Sequence, residues 1–164
     1  MYSQPAGSGL RNPEAALETV NRQFHDSTAA EHFATLFLGA YTGSTRLLKY
    51  VNCGHCPPLL MRAGGEIERL EPTAMMLGAF ADLKCTKAEV ALRAGDTLLL
   101  YSDGVTEAAN RVGDEFGEEG VRRVLRESRA RSAAELAREV TDAVTRFGGI
   151  PPADDVTVVA IRGV

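Results

Sequence analysis

The spacing of hydrophobic positions changes twice along the chain, which gives a helical start, a strand-rich middle and a helical end. Between Asn12 and His25 apolar residues recur at helical spacing, with Asn12 suited to cap the helix and Pro13 to its first turn. The following region instead contains short apolar and aromatic runs separated by glycine-containing turns. We predict an amphipathic helix followed by mainly antiparallel strands. The predicted strands are 33–41, 46–52, 58–62, 66–70, 84–92 and 96–101.

Helical spacing returns near the end of the chain. Apolar residues recur at this spacing over 118–131 and 132–147, and Ser132 with Glu135 has the spacing of a capping box. The run 156–161 is almost continuously apolar, which is typical of a strand buried on both faces, so we predict a central, buried last strand. This order of elements predicts an α+β fold in which helices cover an antiparallel sheet.

Length, composition and charge narrow the class of protein. A chain of 164 residues that is 45% hydrophobic can build one core, so we predict a single domain over 13–164 after a flexible leader at 1–12. The net charge is -4 and the basic residues are dispersed, which argues against nucleic acid as a partner. No apolar run approaches the roughly 20 residues of a membrane span, and no secretory signal is visible. We expect a cytoplasmic location with no membrane contact in this segment.

Two acidic segments are the candidates for chemistry. Asp103 directly follows an apolar strand and precedes Gly104, and the pair Asp154 and Asp155 precedes the last apolar run. Adjacent carboxylates repel one another unless a cation lies between them, and magnesium and manganese prefer such oxygen ligands. A pair of these ions can activate water for the hydrolysis of phosphate esters. Either segment alone is more typical of a turn or a loop cap than of a functional site.

Four segments, in this order along the chain, resemble one protein family. They are Phe33–Phe37, Tyr50–Leu60, Gly95–Glu107 and Asp154–Val159. From about residue 13 to 163 the chain looks like the stage II sporulation protein E-type phosphatases, bacterial members of the PPM (protein phosphatase 2C-like) superfamily. The resemblance implies a β-sandwich flanked by helices. It also implies metal-dependent hydrolysis of phosphoserine or phosphothreonine on proteins by a water that two metal ions activate.

The resemblance also assigns roles to the acidic residues. Asp103 and Asp154 correspond to manganese or magnesium ligands of the family and are the predicted catalytic residues. Gly104 and Asp155 are then predicted to shape the site around them. The implied partner is a phosphorylated regulatory protein that resembles an antagonist of an anti-sigma factor, and a longer protein would carry an upstream sensor domain.

The chain departs from the family pattern in one catalytic segment. The family places a further metal-bridging aspartate in a Gly-Asp-x-x-Gly motif upstream of the Phe33–Phe37 segment, and no such motif is present. The strands that precede this motif are missing as well. The sequence therefore predicts either a fragment of a longer phosphatase or a degenerate homologue. A degenerate homologue would act as a protein-binding module in a partner-switching pathway.

The cysteines suggest a third hypothesis, a thiol-redox protein. Cys53–Cys56 reads Cys-Gly-His-Cys, as in disulfide isomerases, and Cys-x-x-Cys also occurs in zinc sites. However, Pro57 follows at once, whereas a redox pair needs a helix N-terminus, and too few further ligands exist for zinc. The odd count of three cysteines favours reduced thiols. By resemblance the two cysteines are local substitutions and His55 is a structural loop residue.

Overall fold

The structure, a computed structural model, describes residues 13–29, 31–148 and 154–164. In chain order its elements are α1 (Pro13–Ser27), β1 (Leu36–Thr42), β2 (Leu47–Cys53), β3 (Leu59–Met61), β4 (Ile67–Arg69), β5 (Ala88–Ala91), β6 (Thr97–Tyr101), α2 (Asp103–Thr106), α3 (Gly117–Glu127), α4 (Ala133–Gly148) and β7 (Val158–Arg162). The predicted leader at 1–12, which includes the predicted cap Asn12, lies outside the described residues. No helix in the described ranges has the length and apolar character to span a bilayer.

The described chain divides into two compact units. One comprises the described residues of Met1–His55 and Pro72–Ala91, and the other comprises those of Cys56–Glu71 and Leu92–Val164. The prediction of a single domain over 13–164 remains a prediction.

The first unit contains α1 and an antiparallel sheet with the order β1-β2-β5. The helix buries Leu17 in a small core. The core residues are Leu17, Val51, Cys53, Leu77 and Leu83. Asn21 of the helix is fully buried, and its side chain accepts a hydrogen bond from the Gly78 amide and donates to the carbonyls of Phe80 and Ala81. These bonds satisfy a buried amide group and fix the loop before β5.

The second unit contains an antiparallel sheet with the order β4-β3-β6-β7, covered by α3 and α4. The core lies between this sheet and the two helices. Its fully buried members include Leu59, Leu99, Val105, Val121, Leu125 and Val140. The predicted capping box begins α4: the Ser132 hydroxyl donates to the Glu135 carboxylate at 2.7 Å and accepts the Glu135 amide at 3.3 Å. The capping box thus starts α4 as predicted. The three predicted helices are confirmed as α1, α3 and α4.

The predicted α+β class, with mainly antiparallel sheets flanked by helices, is confirmed. The first two predicted strand pairs form the hairpins β1-β2 and β3-β4. The next two strands follow one another in sequence but join different sheets, since β5 pairs with β2 and β6 pairs with β3 and β7. Sequence spacing predicts that strands exist but does not determine which of them pair.

The prediction of a central, buried last strand is wrong. Among the described residues β7 is the edge strand of its sheet, and it begins at Val158, two residues after the apolar run begins. Val158 and Ala160 pack against the core, whereas Val159 and Ile161 are 47% and 43% exposed on the other face. An apolar run indicates a doubly buried strand only where both faces are covered.

A buried carboxylate fixes the chain just before β6. Asp96 is 2% exposed and accepts hydrogen bonds from the Arg62 guanidinium at 2.8 Å and from the amides of Ala63 and Arg93 at 3.0 Å each. Burial alone would raise the pKa of Asp96. The Arg93 amide, the Arg62 side chain and the Ala63 amide together hold this pKa below its ordinary value. Arg62 also pairs with Glu68 at 2.6 Å. These hydrogen bonds connect the turn at Arg62 and Ala63 to the turn at Arg93, within the second unit.

Candidate metal and catalytic site

Asp103 lies at the junction between β6 and the short helix α2. The strand ends at Tyr101, Ser102 has extended backbone angles, and α2 begins at Asp103. Val105, two positions after Asp103 in the same helix, is fully buried in the core. The Asp103 side chain is exposed, and its Oδ1 accepts the Gly104 amide at 2.9 Å. A buried strand and a buried valine therefore hold the backbone of a solvent-accessible carboxylate.

Asp154 and Asp155 precede β7, from which Val156 and Thr157 separate them, and both are exposed. The Asp154 Oδ1 accepts the Asp155 amide at 2.7 Å, which fixes the first carboxylate against its own backbone. Both residues line a cleft of about 320 Å³ beside α4. This segment places two adjacent negative charges at the same end of the sheet as Asp103, because β6 and β7 are antiparallel neighbours and Tyr101 pairs with Val158.

Ser102 joins the two acidic segments directly. Its hydroxyl donates to the Asp155 carbonyl at 2.8 Å and accepts the Thr157 amide at 2.9 Å. Its own amide donates to the Thr157 carbonyl at 3.0 Å. One serine thus connects the backbone that precedes Asp103 to the backbone that follows Asp154.

Gly104 allows the closest approach between these segments. A Cβ atom at this position would lie 2.6 Å from the Asp155 carbonyl oxygen and 3.3 Å from the Asp154 carbonyl carbon. Distances below about 3 Å to backbone atoms cannot be relieved by a change of side-chain rotamer. The second residue of the Asp-Gly pair must therefore be glycine for the two acidic segments to come this close.

The donor groups suit a hard divalent cation. Asp103 and Asp154 each use one carboxylate oxygen for a backbone amide, and in the described part of the chain the other oxygen has no hydrogen bond. Free carboxylate oxygens are the ligands that magnesium and manganese prefer. Within residues 13–29, 31–148 and 154–164, however, no group of three or more acidic, histidine or cysteine side chains is arranged to hold an ion. The described residues alone therefore do not form a metal-binding cluster.

The structure thus brings together every residue that the sequence singled out at this site, namely Asp103, Gly104, Asp154 and Asp155. Their roles as metal ligands and shaping residues remain predictions. The sequence analysis did not identify Ser102, although Ser102 directly precedes the Asp-Gly pair. A residue with both a hydrogen-bond donor and an acceptor at the end of a buried strand is a signal that could have identified it.

The thiol groups lack the properties of a redox pair. Cys53 is fully buried, and burial, with a smaller effect of Cys85, raises the pKa of its thiol to about 11. Burial, followed by the charge of Asp103, also raises the pKa of Cys56. A reactive cysteine requires a lowered pKa, so these environments oppose thiol-redox chemistry. The backbone of His55 is held in its loop by the Asn52 side chain, which bonds both its amide and its carbonyl.

Comparison with known families identifies the class of protein. The family model of "Stage II sporulation protein E (SpoIIE)" matches residues 3–163. The chain belongs to this family.

Individual relatives agree with this assignment. Phosphoserine phosphatase RsbU of Bacillus subtilis is 26% identical over 92% of this chain and 45% of its own length. The crystal structure of the RsbU and RsbW domains of a Mycobacterium tuberculosis protein has a TM-score of 0.75 and 27% identity, and the match covers 92% of this chain and 42% of that one. The catalytic domain of the serine/threonine phosphatase PstP, in complex with two manganese ions, has a TM-score of 0.68 and 22% identity over 96% of this chain and 73% of that one.

These matches establish the fold as that of the protein phosphatase 2C-like proteins. The chain spans about a quarter to just under half of the first curated relatives that it matches. The activity, substrates and partners of the whole relatives therefore enter only as proposals.

Proposed function

We propose that this chain carries the metal-binding, carboxyl-terminal part of a protein serine/threonine phosphatase that hydrolyses phosphoserine or phosphothreonine on a regulatory protein. The observation that carries the proposal is the contact between the two acidic segments, in which Ser102 and Gly104 hold Asp103 next to Asp154 and Asp155. Exposed carboxylates on two backbone segments in contact can share a cation, which would offset their mutual repulsion.

Asp103 and Asp154 are the residues that would hold manganese or magnesium. Such ions, when bound in a pair, acidify a water molecule and neutralise charge on the phosphoryl oxygens. The chain itself contributes a rigid carboxylate at each of two backbone segments. Each carboxylate keeps one oxygen on a neighbouring amide, which limits its rotation and leaves the other oxygen for the ion. Asp155 adds negative charge beside them.

The proposed substrate is a phosphorylated protein of a partner-switching pathway, similar to an antagonist of an anti-sigma factor. Support comes from RsbU, which is named as a phosphoserine phosphatase, and from the solved structure that contains RsbU and RsbW domains. The use of manganese is supported by the ions bound to the PstP domain, which shares this fold.

A second candidate function is a protein-binding module without catalytic activity. The observation that favours it is the absence, among the described residues, of a third ligand near the two acidic segments. A metal pair normally needs more carboxylates than two side chains provide. The two functions make opposite predictions for hydrolysis by the isolated chain.

The test is hydrolysis of p-nitrophenyl phosphate by the purified chain in the presence of manganese. We expect activity that requires manganese and that falls by about a hundredfold in Asp103→Asn and in Asp154→Asn, because each substitution removes a charged ligand. Asp82→Asn is the matched control, since Asp82 is an exposed carboxylate of the other unit and its loss should leave the rate unchanged. A folded chain without activity would refute the claim that these residues alone form an enzyme, and would leave a truncated phosphatase or a binding module.

A further inference from the structure

Ser102 occupies a place where the hydrogen-bonding pattern of the sheet is interrupted. In an antiparallel pair the Thr157 amide would donate to the Ser102 carbonyl, just as the Ser102 amide donates to the Thr157 carbonyl. The Ser102 carbonyl instead accepts the Val105 amide at 3.1 Å, because α2 begins at the next residue. The Thr157 amide therefore needs another acceptor, and the Ser102 hydroxyl provides it at 2.9 Å.

The same hydroxyl also donates a hydrogen bond. Its proton goes to the Asp155 carbonyl at 2.8 Å, so one oxygen atom holds both the carbonyl and the amide of the turn between Asp155 and Thr157. Among short side chains, a single oxygen atom that both donates and accepts is found only in serine and threonine. The substitution of alanine would remove both bonds at once.

We infer that Ser102 is a positioning residue that sets the separation between the Asp103 and Asp154 carboxylates. This inference rests on the proposed function, since it concerns the affinity of the same site for metal. Asp103 follows Ser102 directly, and Asp154 precedes the carbonyl group that the hydroxyl holds. Movement of the segment at 154–157 relative to β6 would therefore change the distance between the two carboxylates. It would lower the affinity for an ion that both carboxylates coordinate.

The first arm of the test measures this linkage without metal. Hydrogen exchange of the Thr157 amide, followed by NMR, should be at least about tenfold faster in Ser102→Ala than in the wild type, because the amide loses its acceptor. Ser102→Thr keeps the hydroxyl and should restore slow exchange. Equal exchange rates in the wild type and Ser102→Ala would overturn the inference, whatever the metal affinity.

The second arm measures manganese affinity by electron paramagnetic resonance. Ser102→Ala should weaken binding by about tenfold or more, and Ser102→Thr should bind as the wild type does. Ser132→Ala is the matched control, because Ser132 also makes two side-chain hydrogen bonds in the second unit but lies at the start of α4. It should lower stability and leave the affinity unchanged.

The two proposals fail in different ways. If the wild type binds no manganese, the proposed function fails, while the exchange data still decide whether Ser102 holds the segment. If manganese binds and Ser102→Ala loosens the segment without any loss of affinity, the positioning role is refuted and the metal site stands.

Discussion

The two ends of β6 carry aspartates in similar sequence contexts but in opposite environments. Asp96, next to Gly95, is buried and accepts hydrogen bonds from a guanidinium and two amides. Asp103, next to Gly104, is exposed and has no ion pair among the described residues. The negative charge of Asp96 is neutralised by Arg62, whereas the charge of Asp103 has no such partner among the described residues. A glycine next to an aspartate in the sequence therefore does not distinguish a structural carboxylate from a candidate ligand, whereas the burial and the hydrogen-bond partners of the carboxylate do.

The largest effect is expected at the buried end. Asp96→Asn would leave Arg62 with one partner fewer and would place an amide group against backbone donors. Breaking a buried ion pair in this way should cost about 3 kcal/mol in the free energy of unfolding, measured by urea denaturation. Asp103→Asn at the other end should change this free energy by less than about 0.5 kcal/mol. Equal losses of unfolding free energy in Asp96→Asn and Asp103→Asn would contradict this difference between the two aspartates.

The next largest effect is expected from Gly104→Ala, which adds one methyl group at the exposed end. The new Cβ would lie 2.6 Å from the Asp155 carbonyl, so the acidic segments must separate. We expect a loss of about 2 kcal/mol in the free energy of unfolding, together with weaker manganese binding. Gly64→Ala is the control, because its added Cβ meets no atom within 4 Å. Manganese affinity that is unchanged in Gly104→Ala would show that the close approach does not matter to the site.

A smaller effect is expected at acid pH. The pKa of Asp96 is below its ordinary value of 3.8 in the folded state, so its contribution to stability is complete above that value and is lost as the pH falls through the folded-state pKa. The pKa of Glu68 is also lowered, chiefly by its hydrogen bond to Arg62. Below about pH 4 the free energy of unfolding should fall more steeply in the wild type than in Asp96→Asn. If the free energy of unfolding fell equally with pH in the two proteins, Asp96 would not be the group whose protonation lowers the stability.

Local patterns predicted most of the elements of the fold. The capping box of Ser132 and Glu135 marked the start of α4, and the glycine-containing turns marked two hairpins. These features depend on residues close in sequence. The division of β5 and β6 between two sheets depends on distant contacts, and it could not be predicted from spacing. The edge position of β7 was predicted wrongly for the same reason, since a strand's neighbours are not encoded within its own run of residues.

The candidate site was only partly accessible to sequence reasoning. The sequence pattern indicates Asp103, Asp154 and Asp155 as candidates, but only the resemblance to a family predicts that Asp103 and Asp154 belong to one site. Repulsion between adjacent carboxylates does not show which distant segments meet. The hydrogen bonds of the Ser102 hydroxyl depend on where β6 ends and α2 begins. Because α2 begins at Asp103, the Ser102 carbonyl bonds within the helix and is not available to the sheet. The Arg62 and Asp96 network was missed because its members belong to different turns.

A double-mutant cycle on manganese binding decides whether Asp103 and Asp154 belong to one metal centre. The affinity is measured by electron paramagnetic resonance on the wild type, Asp103→Asn, Asp154→Asn and the double variant. If both carboxylates hold the same metal centre, each single substitution should weaken binding by at least about tenfold, and the double variant should be little worse than either one. Manganese affinity that is unchanged in both single variants, or losses that simply add, would contradict a shared metal centre.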